Sequence, residues 1–131
     1  MKRVFLLALL VLSCGPVYAE WVAVTKSAAD DTIYINPETI RRKGELVEVW
    51  VIWDYRVARQ LPIPPRYFLS RRHLQKFNCA EKRYRLVAVT WFSGHMTEGV
   101  RLNDDETEEI AWRAIPPDSV DRHLMEMVCK K

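Results

Sequence analysis

The first nineteen residues constrain this fold more than any other feature, because they set the redox compartment in which the rest of the chain folds. Lys2 and Arg3 form a short basic segment, an apolar run follows from Val4 to Leu12, and Pro16 breaks it. Val17-Tyr18-Ala19 then presents small or permitted side chains to a signal peptidase. This is the anatomy of a cleaved secretory leader, and the run is too short for a transmembrane helix, which needs about 20 apolar residues. Cleavage after Ala19 is expected, leaving residues 20–131 as a single domain. The alternative is acylation, since Val11-Leu12-Ser13-Cys14 partly imitates a bacterial lipoprotein box. Lipid on Cys14 would make the membrane a partner. Bulky Leu12 before the small residue and the ordinary placement of Val17-Tyr18-Ala19 favour cleavage.

Either route removes Cys14 from the thiol count and leaves Cys79 and Cys129. Two cysteines in an oxidising compartment are expected to pair. Such a bridge would close a loop worth roughly 4 kcal/mol in the chain-entropy model. Two buried free thiols are the alternative. The leader also carries off Lys2 and Arg3, so 18 of the 20 basic residues remain against 17 acidic ones, a formal charge of +1. Bulk basicity is therefore no sign of a nucleic-acid partner, and no recognition motif is present.

The mature chain has no repeat and no Gly/Ser linker, and its first half reads as strands. Trp21–Thr25 is short and apolar, and Asp31–Asn36 alternates. Asn36-Pro37 then opens about one helical turn, with Asn36 as cap, and the turn stops at Arg41-Arg42-Lys43-Gly44. Leu46–Tyr55 is the clearest strand: Val47, Val49, Val51 and Trp53 share one face, Leu46, Trp50 and Ile52 the other. Two apolar faces predict a central strand. Residues 56–66, with Pro62, Pro64 and Pro65, read as loop. Tyr67–Cys79 and Lys82–Ser93 read as a hairpin, and Glu98–Asn103 as a last strand before an acidic loop, Asp104–Glu109. A C-terminal helix is predicted with Asp118 as cap and Val120, Leu124, Met127 and Val128 as its apolar stripe. Strands followed by one helix predict an α+β domain built on an antiparallel sheet.

An ordered series of short motifs resembles the surface-adhesin protein E family of small exported bacterial proteins. It runs from Trp21-Val22 through Ile33-Tyr34-Ile35-Asn36-Pro37-Glu38-Thr39-Ile40, Val49-Trp50-Val51, Asp54-Tyr55 and Phe77-Asn78-Cys79. Arg83-Tyr84-Arg85-Leu86, Trp112, Ile115-Pro116-Pro117-Asp118-Ser119 and the helix ending at Cys129 complete it. The resemblance implies a six-stranded antiparallel sheet with a C-terminal helix, a homodimer, and adhesion to host matrix proteins such as vitronectin and laminin. It carries over no binding residue, because the matching positions are the kind that hold a fold. A periplasmic structural or accessory protein with no role in adhesion is the alternative reading.

Charge marks the candidate site. From Arg56 to Arg85 nine basic residues stand against the single acid Glu81, and from Glu98 to Glu109 six acids stand against Arg101. Arg71, Arg72, Arg83 and Arg85 are the candidate ligand-binding patch, for a matrix protein or an anionic polysaccharide. The competing reading has basic and acidic segments neutralising one another on a solvated sheet. Five tryptophans are expected in the core, since Trp50 and Trp53 point to opposite faces of one strand. His73, His95 and His123 show no ligand pair at metal spacing, and no nucleophile stands beside a base. No metal, cofactor or catalytic residue is predicted.

Overall fold

The computed structural model describes residues 20–61, 66–102 and 111–130. The leader with Cys14, the three prolines near the predicted loop and the acidic stretch Asp104–Glu109 lie outside the described residues. Seven antiparallel strands form one sheet: β1 (Val22–Lys26), β2 (Thr32–Ile35), β3 (Arg41–Lys43), β4 (Leu46–Leu61), β5 (Arg66–Asn78), β6 (Arg83–Phe92) and β7 (Arg113–Ala114). Their order is β1-β2-β4-β5-β6-β7, with β3 also paired to β4. One helix, α1 (Val120–Val128), closes the chain. The α+β architecture is as expected, with one strand more than the resemblance implied; β3 and β7 are three and two residues long.

The basic run after the helical turn is itself a strand. Asn36 caps the 3-10 turn Pro37–Thr39 through Oδ1, which accepts from the Glu38 N–H at 3.2 Å. The chain then extends through Arg41–Lys43 and returns through a two-residue loop, so that Lys43 pairs with Leu46. Gly44 opens that loop at a φ of +60°, a conformation glycine adopts at no steric cost.

A second correction falls on residues 56–66. β4 continues to Leu61, and Arg59, Gln60 and Leu61 pair with Phe68, Tyr67 and Arg66 beyond a bulge after Asp54. The bulge is held by Asp31, a buried carboxylate. Its oxygens accept from the Arg56 N–H and the Arg59 guanidinium, each at 2.9 Å, and from the Ser27 hydroxyl at 3.0 Å. The predicted strand over Glu98–Asn103 reduces to one bridge, Phe92 with Arg101, flanked by backbone bonds Ser93–Val100 and Leu102–Trp91.

Directly opposed residues of an antiparallel pair share a face, so the register sorts every side chain. One face carries Ile33 and Ile35 of β2, Val47, Val49, Val51 and Trp53 of β4, and Phe77 of β5. With Ile115 and the helix residues Leu124, Met125 and Val128 these form the main core. A smaller cluster of Tyr55, Phe68 and Leu102 continues it beneath Trp53 and Trp91. The helix is capped by Ser119, whose Oγ accepts from the Arg122 N–H at 3.1 Å. Asp118, the predicted cap, instead takes a left-handed φ of +59° outside the helix. Met125 is buried and Met127 is 40% exposed, the reverse of the expected stripe. The helix leans this way because Gln75 on the sheet donates to Asp121 at 2.7 Å and draws that flank inward. The Cys79–Cys129 disulfide then ties the end of β5 to the C-cap of α1.

Candidate ligand-binding face

The face away from the helix is organised in cross-strand rows. At one end Lys43, Leu46, Asn78 and Arg83 form a row, and beside it lie Arg41, Glu48, Lys76 and Arg85. Trp50, Leu74 and Val87 form an apolar row next to these, followed by Tyr34, Ile52, Arg72 and Thr90. At the far end Asp54, Ser70 and Phe92 lie under the loop that follows β6.

The four arginines of the sequence-derived patch divide between the two faces. Arg72, Arg83 and Arg85 share the outer face, and Arg71 stands opposite Trp53 and Trp91 on the helix face. Arg71 lays its guanidinium over the Trp53 ring, 5.1 Å from its centroid, and its Nε is buried without a hydrogen bond. Strict two-residue alternation would align the odd-numbered Arg71, Arg83 and Arg85. A bulge between Arg72 and Leu74 in the β5–β6 pairing, where Ala88 adopts a φ of +54°, breaks that parity.

On the outer face guanidinium groups also lie over aromatic rings. Arg72 sits 5.7 Å from the Trp50 centroid and 5.4 Å from that of Phe92, and Arg85 sits 5.4 Å from Trp112. Such stacks hold an arginine in place while leaving in-plane N–H groups for a partner, at about 0.5–2 kcal/mol each. Burial, and then the charge of Arg101, pushes the Arg72 pKa below its ordinary value.

Where the charged rows meet β3, a cavity of about 330 Å³ opens. Arg41, Lys43, Leu46, Glu48, Lys76 and Trp112 line it. Only Lys76 among these was counted in the basic run, and Arg41 and Lys43 read as the end of a helical turn. The alternation Arg41, Lys43 just before Gly44 was the available signal, because a tight hairpin sets both on one face. Among the described residues neither Lys43 nor Lys76 is ion-paired.

Two polar clusters elsewhere have other roles. Asp54, His95 and Ser70 have the residue types of a hydrolytic triad. Ser70 is fully buried; its hydroxyl donates to the Gly94 carbonyl at 2.6 Å and accepts from the Thr97 N–H at 2.9 Å. Asp54 Oδ1 hydrogen-bonds His95 Nδ1 at 3.1 Å and accepts from the Met96 N–H at 2.9 Å. The serine proton is committed to a carbonyl, so these bonds fasten the loop to the sheet. Inside the core His73 Nε2 pairs with Gln75 Oε1 at 3.0 Å, and Gln75 passes the chain on to Asp121. Burial, with the nearby charge of Arg71, lowers the His73 pKa to about 3, so the ring is neutral at physiological pH. His123 is exposed on α1. Among the described residues no group of three His, Cys, Asp or Glu side chains is placed to hold a metal ion, and no helix is long and apolar enough to cross a membrane.

One helix packed on an antiparallel sheet and stapled to it by a disulfide, with the other face carrying charge and aromatic rings, defines a small α+β domain. The chain belongs to the surface-adhesin protein E family, whose model matches residues 21–130. It is thus an adhesin-like protein of a family placed at the cell surface or exported. Its fold is similar to that of Haemophilus influenzae protein E in crystal form II, with a TM-score of 0.65 at 19% identity, covering 87% of this chain and 90% of that one. A structure of protein E from non-typeable Haemophilus influenzae is also similar, with a TM-score of 0.61 at 19% identity over 87% of this chain and 78% of that one. No curated protein sequence matches the chain.

Proposed function

We propose that this protein is exported by cleavage after Ala19, lies on the outer surface of a bacterium and acts, without catalysis, by binding acidic ligands of the host extracellular matrix. The observation that carries this reading is the asymmetry of the sheet. One face is closed by α1, and the other gathers Arg41, Lys43, Lys76, Arg83 and Arg85 around the single acid Glu48 in its two charged rows, with Arg72 beyond the apolar row. A surface of one sign attracts partners of the other sign and makes association salt-dependent. Family membership supports adhesion, and the disulfide suits an oxidising compartment.

Protease shaving of intact cells tests the reading. Digestion of the native protein on intact cells, with a periplasmic control protein untouched, is the expected result. Digestion only after the outer membrane is permeabilised would return the protein to the periplasm, as an accessory or structural component with no contact with a host.

A further inference from the structure

We infer that the cavity between β3, β4 and Trp112 is a subsite for an anionic sugar, a pyranose carrying sulfate or carboxylate, presented within a longer saccharide chain. The inference deepens the adhesin reading and rests on it for the source of the ligand. Three observations in one place carry it. Lys43 and Lys76 line the cavity without ion-pair partners among the described residues, and Arg83 and Arg85 extend the same rows. Glu48 stands among these cations as an acceptor. Trp112 and Leu46, the latter 45% exposed, supply apolar wall.

Each alternative ligand leaves one of these features unused. A simple phosphate has no need of the tryptophan and is repelled by Glu48. An extended acidic peptide places same-side carboxylates roughly 7 Å apart, whereas the paired backbone positions of Lys76 and Arg85 on neighbouring strands are about 5 Å apart. A substituted pyranose uses all three features. Its anionic groups meet the lysines, a hydroxyl donates to Glu48, and its C–H groups lie against the apolar wall of Leu46 and Trp112. A volume of about 330 Å³ is at the small end of ligand pockets, sized for one or two rings rather than a whole chain.

The test is calorimetric titration of the purified exported protein with two probes, a sulfated heparin-type octasaccharide and an unsulfated hyaluronan octasaccharide. The Lys43→Gln/Lys76→Gln double variant is compared with Arg56→Gln/Arg66→Gln, which removes as much charge from the exposed far hairpin. Binding of at least one probe is expected, weakened about tenfold or more in the cavity variant and by less than about twofold in the hairpin variant. Binding of the sulfated probe alone assigns sulfate, and binding of both assigns carboxylate as sufficient. Equal loss in the two variants would reduce the site to diffuse charge and overturn the inference, as would no binding of either probe. Tighter binding of a polyglutamate peptide with the same sensitivity would replace the sugar by an acidic peptide. Surface exposure is read separately by protease shaving. Sugar binding by a protein that stays shielded in intact cells would therefore keep the subsite and sink the adhesin reading. Matrix adhesion that survives in the cavity variant would do the opposite.

Discussion

Gln75 and Lys76 are neighbours in β5, yet they belong to different regimes of the same sheet. Gln75 faces the helix, is fully buried, and links His73 to Asp121. Lys76 faces outward into a charged cavity and is ion-paired to nothing among the described residues. The same contrast separates Arg71 from Arg72. The helix face is closed: apolar packing excludes water, and most of its polar groups are satisfied from within, because an unpaired buried group costs about 1–3 kcal/mol. The outer face carries cations at one end, and toward the other it buries Thr90 and, under the loop after β6, Ser70. Stability and recognition are thus written on opposite sides of the same strands, and substitutions on the two faces should separate them.

Among single substitutions at neutral pH the largest effect is expected at the staple. Cys129→Ser opens a loop between residues 50 apart in sequence and should lower stability by about 4 kcal/mol in urea denaturation. A variant as stable as the parent would mean that α1 holds to the sheet by packing alone. Leu124, fully buried at the centre of α1, comes next. Leu124→Ala should cost about 3 kcal/mol through lost burial and the cavity left behind. Gln75→Ala, which strands the buried His73 ring, should cost about 2 kcal/mol in the same assay.

Acid should sharpen the contrast further. The folded pKa of His73, about 3, lies below its ordinary 6.5. Below pH 6.5 the unfolded chain takes up a proton that the native state refuses. The histidine's contribution is therefore fully present above pH 6.5, falls as pH drops, and levels off near pH 3. Relative to His73→Leu, the parent should lose roughly tenfold in its folding equilibrium constant for each pH unit across that window. Parallel stability curves for the two proteins would show that the ring does not stay neutral in the core. The smallest effect belongs to the outer face: Lys76→Gln should change the unfolding free energy by less than about 0.5 kcal/mol. A larger loss would mean that the charged rows also hold the fold together.

Local chemistry determined a good deal of this protein. The alternation of Leu46–Tyr55, Asn36-Pro37 as a turn start, the pairing of Cys79 with Cys129, and a sheet with one C-terminal helix follow from periodicity, capping and thiol count, which act over a few residues or on the whole chain at once. Adhesin kinship was likewise legible in the order of short motifs. Tertiary structure alone decided whatever depended on register. Ser119 rather than Asp118 caps α1, Met125 rather than Met127 turns inward, and β4 runs on to Leu61 because Asp31, distant in sequence, secures its bulge. The binding face was decided in the same way. Side chains alternate with a period of two, so one bulge near Arg72 and Ala88 was enough to part Arg71 from Arg83 and Arg85, while a tight turn at Gly44 brought Arg41 and Lys43 alongside Lys76. A sequence lists charges in order; only strand pairing sets which of them look the same way.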